Sequence, residues 1–154
     1  MNEIVQRLIK LNKTVSCMES CTGGYICNEI TNVSGSSSVF KFGAVTYSNL
    51  YKIKMGVDKD IIDKYSVYSI NTAMEMSKCI SKYTDSDYGI GVTGKLNKED
   101  INNKRGLNNE VFISIYDRNI NKFYNESIKV LLVGRSNNKR EVFDKIVEML
   151  DKIV

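Results

Sequence analysis

The feature that most constrains the fold is a strand, a glycine turn and a helix that follow one another within residues 14–30. The run Thr14–Met18 (TVSCM) is typical of a buried strand. The turn Glu19–Gly24 (ESCTGG) follows, and Tyr25–Ile30 has the pattern of a helix start. Its glycines allow a backbone to approach a ligand closely, and the free N–H groups of a helix start carry partial positive charge. The turn is therefore either a plain connection or an oxyanion site with Ser20 as its nucleophile.

Helical and strand patterns alternate in the first part of the chain, and strands cluster later. The predicted helices cover 3–11, 23–31, 49–55, 59–64, 69–83 and 139–153, and the predicted strands cover 14–18, 39–47, 88–93, 111–116 and 123–132. Residues 95–109 are polar and rich in asparagine, which predicts a long functional or mobile loop. This order predicts a three-layer α/β/α sandwich with a mixed β-sheet of about five strands, in a single domain over residues 1–154.

Charge and hydropathy limit the partners that this chain could have. The 22 Lys and Arg residues are interspersed with 18 Asp and Glu residues, for a net charge of +4. An interspersed pattern is typical of a solvated surface, which argues against nucleic acid as a partner. No apolar run approaches the ~18 residues of a membrane span, and Met1–Ile4 lacks the pattern of a signal peptide. These observations predict a cytoplasmic protein with no membrane partner.

The chain has no histidine, and this limits its chemistry. Histidine triads and histidine-ligated metals are excluded, so acid–base catalysis must use Lys, Tyr, Asp, Glu or Cys. The four cysteines lie at positions 17, 21, 27 and 79, without a paired C-x-x-C motif. This spacing favours buried free thiols over a disulfide framework or a zinc site. We expect neither a metal nor a cofactor.

Four segments together carry a family resemblance. They are Glu19–Gly24, Gly35–Ser37 (GSS), Tyr47–Lys52 (YSNLYK) and Val92–Gly94 (VTG). In order and spacing they resemble the C-terminal domain of the CinA (competence/damage-inducible) family, whose single-domain members are the nicotinamide mononucleotide deamidases. The resemblance covers nearly the whole chain and is most specific over residues 14–56.

The resemblance implies an amidohydrolase that converts nicotinamide mononucleotide to nicotinic acid mononucleotide and ammonia. It implies a serine–lysine catalytic pair, here Ser20 and Lys52, assisted by Tyr47. It also implies a homodimer or larger assembly. The implied substrate-binding residues are Cys21, Thr22, Gly23, Gly24, Ser36, Ser37, Thr93, Gly94 and Arg140. Arg135 is the alternative to Arg140 as the family arginine, which lies shortly before the last helix.

The residue types suit this chemistry. A serine hydroxyl needs a base, and a lysine can serve if burial or a nearby cation lowers its pKa from ~10.4. Arg140 could supply such a cation and bind the substrate phosphate. Tyr47 could relay a proton or hydrogen-bond Lys52, and the N–H groups of residues 21–24 could stabilise the oxyanion. Each residue also has a structural alternative: Lys52 as a surface lysine, for example, or Arg140 paired with an acid on its own helix.

One segment departs from the family pattern. Typical deamidases continue after the Thr-Gly turn with a Gly-Pro-x-Gly-Gly loop, whereas Thr93-Gly94 is followed here by Lys95–Asp100 (KLNKED). Such glycines let backbone N–H groups approach a ligand. The replacement keeps two alternatives open, namely an amidohydrolase with a different nucleotide substrate and a non-catalytic nucleotide-binding or regulatory module.

Overall fold

The computed structural model describes all residues, 1–154. Its elements, in chain order, are α1 (Asn2–Leu11), β1 (Val15–Glu19), α2 (Tyr25–Thr31), a 3-10 turn (Ser36–Ser38), β2 (Phe40–Val45), α3 (Asn49–Lys54), α4 (Lys59–Tyr65), α5 (Ile70–Thr84), β3 (Tyr88–Gly94), β4 (Glu110–Asp117), β5 (Lys122–Lys129) and α6 (Arg135–Ile153).

The five strands form one mixed sheet in the order β2-β1-β3-β4-β5. β1 is parallel to both of its neighbours, whereas β3, β4 and β5 pair in antiparallel fashion. β1 is buried along its whole length, as expected for a central parallel strand covered on both faces. The carboxyl ends of β1, β2 and β3 therefore meet at one edge of the sheet, where the candidate site lies.

Helices cover both faces of the sheet. The larger core packs α1, α2 and α6 against one face, with Leu8, Ile26 and Ile146 among its buried side chains. The smaller core lies on the other face and joins Met18 of β1 to Met76 of α5 and to residues of α3 and α4. The expected three-layer sandwich with a mixed five-stranded sheet is therefore confirmed.

The packing of α5 on β3 depends on two glycines that share one face of the strand. A Cβ at Gly89 would collide with the carbonyl oxygen of Ser77, and a Cβ at Gly91 would collide with that of Ala73. The colliding atoms belong to the helix backbone, so they cannot move aside. Glycine at both positions lets the α5 backbone lie directly on the sheet.

The expected boundaries differ from the structure mainly near the carboxyl terminus. The predicted strand 123–132 ends at Lys129, and the predicted helix 139–153 begins at Arg135. Gly134, with φ 90°, precedes this helix, and the apolar residues 131–133 are exposed beyond the strand. The sequence pattern missed the first turn of α6 because its side chains are polar. No helix has both the length and the apolar character that crossing a membrane requires.

Candidate active site

The candidate site lies where the parallel strands end. Ser20 directly follows β1, and Lys52 lies on α3, which follows β2 after a short connection. Because β1 and β2 are parallel neighbours, their carboxyl ends bring these residues together although they are 32 positions apart. Ser48 begins α3 by accepting a hydrogen bond at Oγ from the N–H of Tyr51 (3.4 Å), which sets the direction of the helix.

Ser20 and Lys52 form a direct, buried contact. Lys52 Nζ donates to Ser20 Oγ at 2.9 Å and to the carbonyl oxygen of Thr46 at 2.7 Å. Lys52 is only 1% exposed, and Ser20 is 6% exposed. No carboxylate lies within salt-bridge distance of Lys52. The lysine is therefore a buried amine held by oxygen acceptors rather than a surface side chain.

Burial changes the acidity of this lysine. It lowers the pKa of Lys52 to about 8, while Cys21 and Asp100 partly oppose this shift. The cause is desolvation of the ammonium group, the first of the two causes that the sequence left open. Near pH 8, about half of the protein carries a neutral amine beside the serine hydroxyl, and this amine can accept a proton.

A cavity of about 670 Å³ opens over this pair. Of the residues implied by the resemblance, it is lined by Ser20, Cys21, Tyr47, Lys52 and Gly94, together with the alternative arginine Arg135. Tyr47 is 65% exposed, and its hydroxyl accepts a hydrogen bond from Arg135 Nη2 (3.2 Å) rather than contacting Lys52. The size and the mixed lining are typical of a small-molecule site.

The glycine turn is held by the carboxylate of Glu19. Its oxygens accept hydrogen bonds from the N–H groups of Gly24 (2.9 Å), Ile26 (3.3 Å) and Cys27 (2.9 Å). The N–H of Gly23 donates to the carbonyl oxygen of Ser20 at 3.1 Å. The expectation that the N–H groups of residues 21–24 are all free for a ligand is therefore corrected.

One donor of this turn remains for a ligand. The N–H groups of Cys21 and Thr22 take part in none of the backbone hydrogen bonds around the turn. Cys21 directly follows the serine and lines the cavity, whereas Thr22 is fully buried and does not line it. The N–H of Cys21 is therefore the candidate oxyanion donor, and the start of α2 is occupied by the protein's own carboxylate.

Cys17, Glu19 and Cys27 lie close together beneath the turn. The two sulfurs are 3.2 Å apart, and all four cysteines of the chain are free thiols. The hydrogen bond shared with Cys27, together with burial, raises the pKa of Cys17 well above its usual range. The oxygens of Glu19 already accept three N–H groups, so we assign this cluster to the support of α2.

Some implied residues lie away from the cavity. Ser36 and Ser37 precede β2, whose first residue Phe40 pairs with Val15 at the start of β1, so they lie near the opposite edge of the sheet. The Thr93 side chain is buried and donates to the carbonyl oxygen of Val67 (2.9 Å).

Two further implied residues also stand outside the cavity lining. Thr22 is fully buried, and its Oγ1 has no hydrogen-bond partner. Arg140 does not line the cavity, whereas Arg135 does. Because α6 begins at Arg135, this residue opens the helix beside the cavity, and Arg140 lies more than one turn further along.

The segment 95–109 supplies cavity residues that the sequence did not single out. Asp100 and Tyr68 line the cavity, and the Tyr68 hydroxyl hydrogen-bonds the Asp100 carboxylate. Lys95 is 3% exposed, and its Nζ lies 5.1 Å from the centre of the Tyr68 ring. The available signal was position, since this segment follows the carboxyl end of β3 at the same sheet edge as Ser20.

Relatives and solved structures resemble this chain to different extents. It is 43% identical to a CinA-like protein of Kosmotoga olearia over 96 residues, and this aligned region covers 61% of this chain and 23% of that protein. It is 47% identical over 96 residues to a competence-damage inducible protein of Clostridium kluyveri, with the same coverage. The chain thus spans about a quarter of the length of the relatives that it matches.

Two solved structures share the fold over nearly the whole chain. The competence/damage inducible protein CihA from Agrobacterium tumefaciens has a TM-score of 0.84 at 27% identity, covering 98% of this chain and 93% of that one. A CinA superfamily protein from Klebsiella pneumoniae has a TM-score of 0.88 at 18% identity, with 98% and 92% covered. The family model for the CinA C-terminal domain matches residues 1–153. The chain therefore belongs to the CinA C-terminal domain family.

Proposed function

We propose that this protein is an amidohydrolase that deamidates nicotinamide mononucleotide through a Ser20–Lys52 pair. The observation that carries the proposal is the 2.9 Å contact between Lys52 Nζ and Ser20 Oγ in a buried site. A lysine whose pKa lies near 8 is a suitable base for a serine in a chain without histidine. The family resemblance supplies the substrate.

The first step would be attack by Ser20 Oγ on the carboxamide carbon. Neutral Lys52 accepts the serine proton, while a second N–H keeps its hydrogen bond to the Thr46 carbonyl oxygen. The N–H of Cys21, which lines the cavity, stabilises the developing oxyanion. Lys52 then returns the proton to the leaving ammonia, and water attacks the acyl-serine to release the carboxylate product.

The start of α6 is the best partner for the substrate phosphate. Arg135 lines the cavity and has no carboxylate within salt-bridge distance. Lys139, one turn further along, places its Nζ beside Gly23. Two cations on one helix face beside the glycine turn suit a phosphate dianion. We therefore propose Arg135, rather than Arg140, as the phosphate-binding arginine.

Ammonia release from nicotinamide mononucleotide by the purified protein tests this proposal. We expect Ser20→Ala and Lys52→Met each to lower kcat at least about 10³-fold, because both belong to one proton-transfer unit. Ser37→Ala is the matched control and should retain activity, since Ser37 lies at the opposite end of the strands. Full activity in Ser20→Ala would refute the mechanism.

A different nucleotide substrate is the second candidate. The observation that favours it is the lining of the cavity by Lys95, Lys98 and Glu99, whose side chains replace a glycine-rich backbone surface. Calorimetric titration of the Ser20→Ala variant with a panel of nucleotide carboxamides would rank the ligands without turnover. Tight binding of a nucleotide that the wild-type protein does not hydrolyse would instead favour the non-catalytic module.

A further inference from the structure

The carboxylate of Asp100 is fixed at the wall of the cavity by several donors. The Tyr68 hydroxyl hydrogen-bonds Oδ2, the Asn103 side-chain amide donates to Oδ2 at 3.0 Å, and the N–H of Asn102 donates to Oδ1 at 2.9 Å. The hydrogen bond from Tyr68 is the first cause that lowers the pKa of Asp100, so the group is ionised at neutral pH. Asp100 is therefore a positioned negative charge rather than a mobile side chain.

The segment that carries Asp100 is itself anchored to neighbouring helices. Asn49 of α3 donates to the side-chain oxygen of Asn103 at 3.2 Å, and Arg105 donates to the carbonyl oxygen of Asp63 at 3.1 Å. Asn49 and Asn103 also line the cavity. The Asn49 contact holds the segment against α3, the helix that carries Lys52, and the Arg105 contact holds it against α4.

Asp100 has no cationic partner. No lysine or arginine lies within salt-bridge distance of its carboxylate, and the buried Lys95 nearby donates to Asn108 Oδ1 (3.4 Å) instead. Arg135, which lines the same cavity, also lacks a carboxylate partner. The charged residues of this cavity thus include the unpaired Asp100 of segment 95–109 and the unpaired Arg135 of α6, beside Lys52, Lys95, Lys98 and Glu99.

We propose that Asp100 is a specificity-determining residue that selects substrates in which a positively charged ring carries the carboxamide. This inference rests on the proposed function and names the charge state of the substrate. An unpaired carboxylate in a partly desolvated cavity attracts a pyridinium ring and has no such attraction for a neutral dihydropyridine ring. A zwitterion with a cationic ring and an anionic phosphate would complement Asp100 and Arg135.

The test compares nicotinamide mononucleotide with its reduced dihydropyridine form. The ratio of their kcat/KM values is measured for the wild type, Asp100→Asn and Asp100→Glu. Their intrinsic reactivities differ, but this difference cancels when ratios are compared between variants. We expect Asp100→Asn to lower the preference for the oxidised form about three- to tenfold, and Asp100→Glu to restore most of it.

Asp63→Asn is the matched charge control, because Asp63 is exposed, pairs with Lys59 and does not line the main cavity. It should leave the ratio unchanged. If Asp100→Asn lowers kcat/KM for both forms equally, Asp100 only supports the loop and the inference is overturned.

A binding measurement separates this inference from the proposed function. Dissociation constants of both forms are measured in Ser20→Ala and in Ser20→Ala/Asp100→Asn, where turnover plays no part. A change in the ratio of dissociation constants, without ammonia release by the wild type, would uphold the inference and refute the deamidase. Ammonia release by the wild type, with an unchanged ratio of dissociation constants, would uphold the deamidase and refute the inference about Asp100. Failure of both forms to bind or react would refute both.

Discussion

At the scale of single residues, Lys52 is the side chain whose environment differs most from that of an ordinary lysine. It is almost fully buried, and its partners are a serine hydroxyl and a peptide carbonyl rather than a carboxylate. Burying an ammonium group without a counter-ion opposes folding. Residues that lower the stability of the folded state in this way are expected at functional sites.

The first prediction concerns the pH dependence of activity. Lys52 can act as a base only when neutral, so kcat/KM should rise with pH, about tenfold per unit below the pKa, and level off above about 8. Initial rates of ammonia release between pH 6 and 10 would show this profile. A flat profile, or a midpoint near the ~10.4 of a free lysine, would exclude Lys52 as the base.

The buried Lys52 should also make the free energy of unfolding depend on pH. Its pKa is near 8 in the folded protein and ~10.4 in the unfolded chain, so between these values the unfolded chain binds more protons. The destabilising effect is therefore complete below pH 8 and fades as the pH rises towards 10.4. The free energy of unfolding of the wild type, relative to that of Lys52→Met, should rise by about 2 kcal/mol between pH 7 and pH 10.

Urea unfolding at several pH values measures this difference. Lys54→Met is the matched control, since Lys54 lies exposed on the same helix. Its free energy of unfolding should run parallel to that of the wild type over the whole range. If the free energy of unfolding of Lys52→Met also ran parallel to that of the wild type, the result would contradict a lowered pKa of Lys52.

At the scale of elements, α2 depends on a side chain that precedes it. It has only seven residues, too few to be stable in isolation, and its first residues have no side-chain cap of the usual kind. The Glu19 carboxylate takes that place by binding three N–H groups around the helix start. The geometry of the Ser20 turn therefore depends on a carboxylate buried behind it.

Replacing Glu19 should damage both stability and activity. Glu19→Ala leaves three N–H groups in the interior without their acceptor, so we expect a loss of about 3 kcal/mol in the free energy of unfolding. Activity at a temperature where the variant is still folded should also fall, because the proposed oxyanion donor, the N–H of Cys21, lies in the same turn. Urea unfolding and ammonia release measure the two effects.

Glu29→Ala provides the comparison for this prediction. Glu29 lies on the same helix, and its carboxylate accepts a hydrogen bond only from the neighbouring Asn28 side chain. Its removal should cost less than about 0.5 kcal/mol. Equal losses in the two variants would mean that the Glu19 carboxylate does not hold the helix start.

At the scale of the whole molecule, the site is assembled from distant parts of the chain by the order of the strands. β1 brings the serine, the connection after β2 leads to the lysine, and the segment after β3 brings the carboxylate of Asp100. All three follow the carboxyl ends of parallel strands. The helix α5 packs directly on β3, the strand that leads to Asp100.

The close packing of α5 on β3 predicts that one added methyl group greatly lowers the free energy of unfolding. Gly91→Ala should lower the free energy of unfolding by about 3 kcal/mol, since its Cβ would meet backbone atoms of α5. Gly43→Ala should cost less, because its Cβ would meet the side chains of Cys27, Phe40 and Cys17, which can adjust. Thermal or urea unfolding of the two variants gives the comparison. A smaller loss for Gly91→Ala would contradict the close packing of helix and strand.

Much of the architecture could be predicted from the sequence because its patterns are local. The alternation of apolar residues located the helices and strands to within a few residues, and the apolar run before Ser20 indicated a buried strand, which is confirmed. The first turn of α6 was missed, since Arg135–Asn138 carries no apolar residue.

The site was predictable only in part because its details depend on side-chain directions. The contact between Ser20 and Lys52 followed from a family motif. The hydrogen bonds of Glu19 to α2 did not, because a buried carboxylate gives no periodic signal. The choice between Arg140 and Arg135 also stayed open, since the distance of each from the cavity depends on where α6 begins.

The hydrogen bonds of Glu19 to the start of α2 also affect how the site would act on substrates that lack the phosphate. A turn held by its own carboxylate is preorganised, so no substrate group is needed to assemble it, and little reorganisation accompanies the reaction. Nicotinamide riboside, which lacks the phosphate, would lose the proposed contacts at α6 but meet the same proposed oxyanion donor, the N–H of Cys21. The loss of the phosphate should therefore mainly raise KM, while kcat is largely retained.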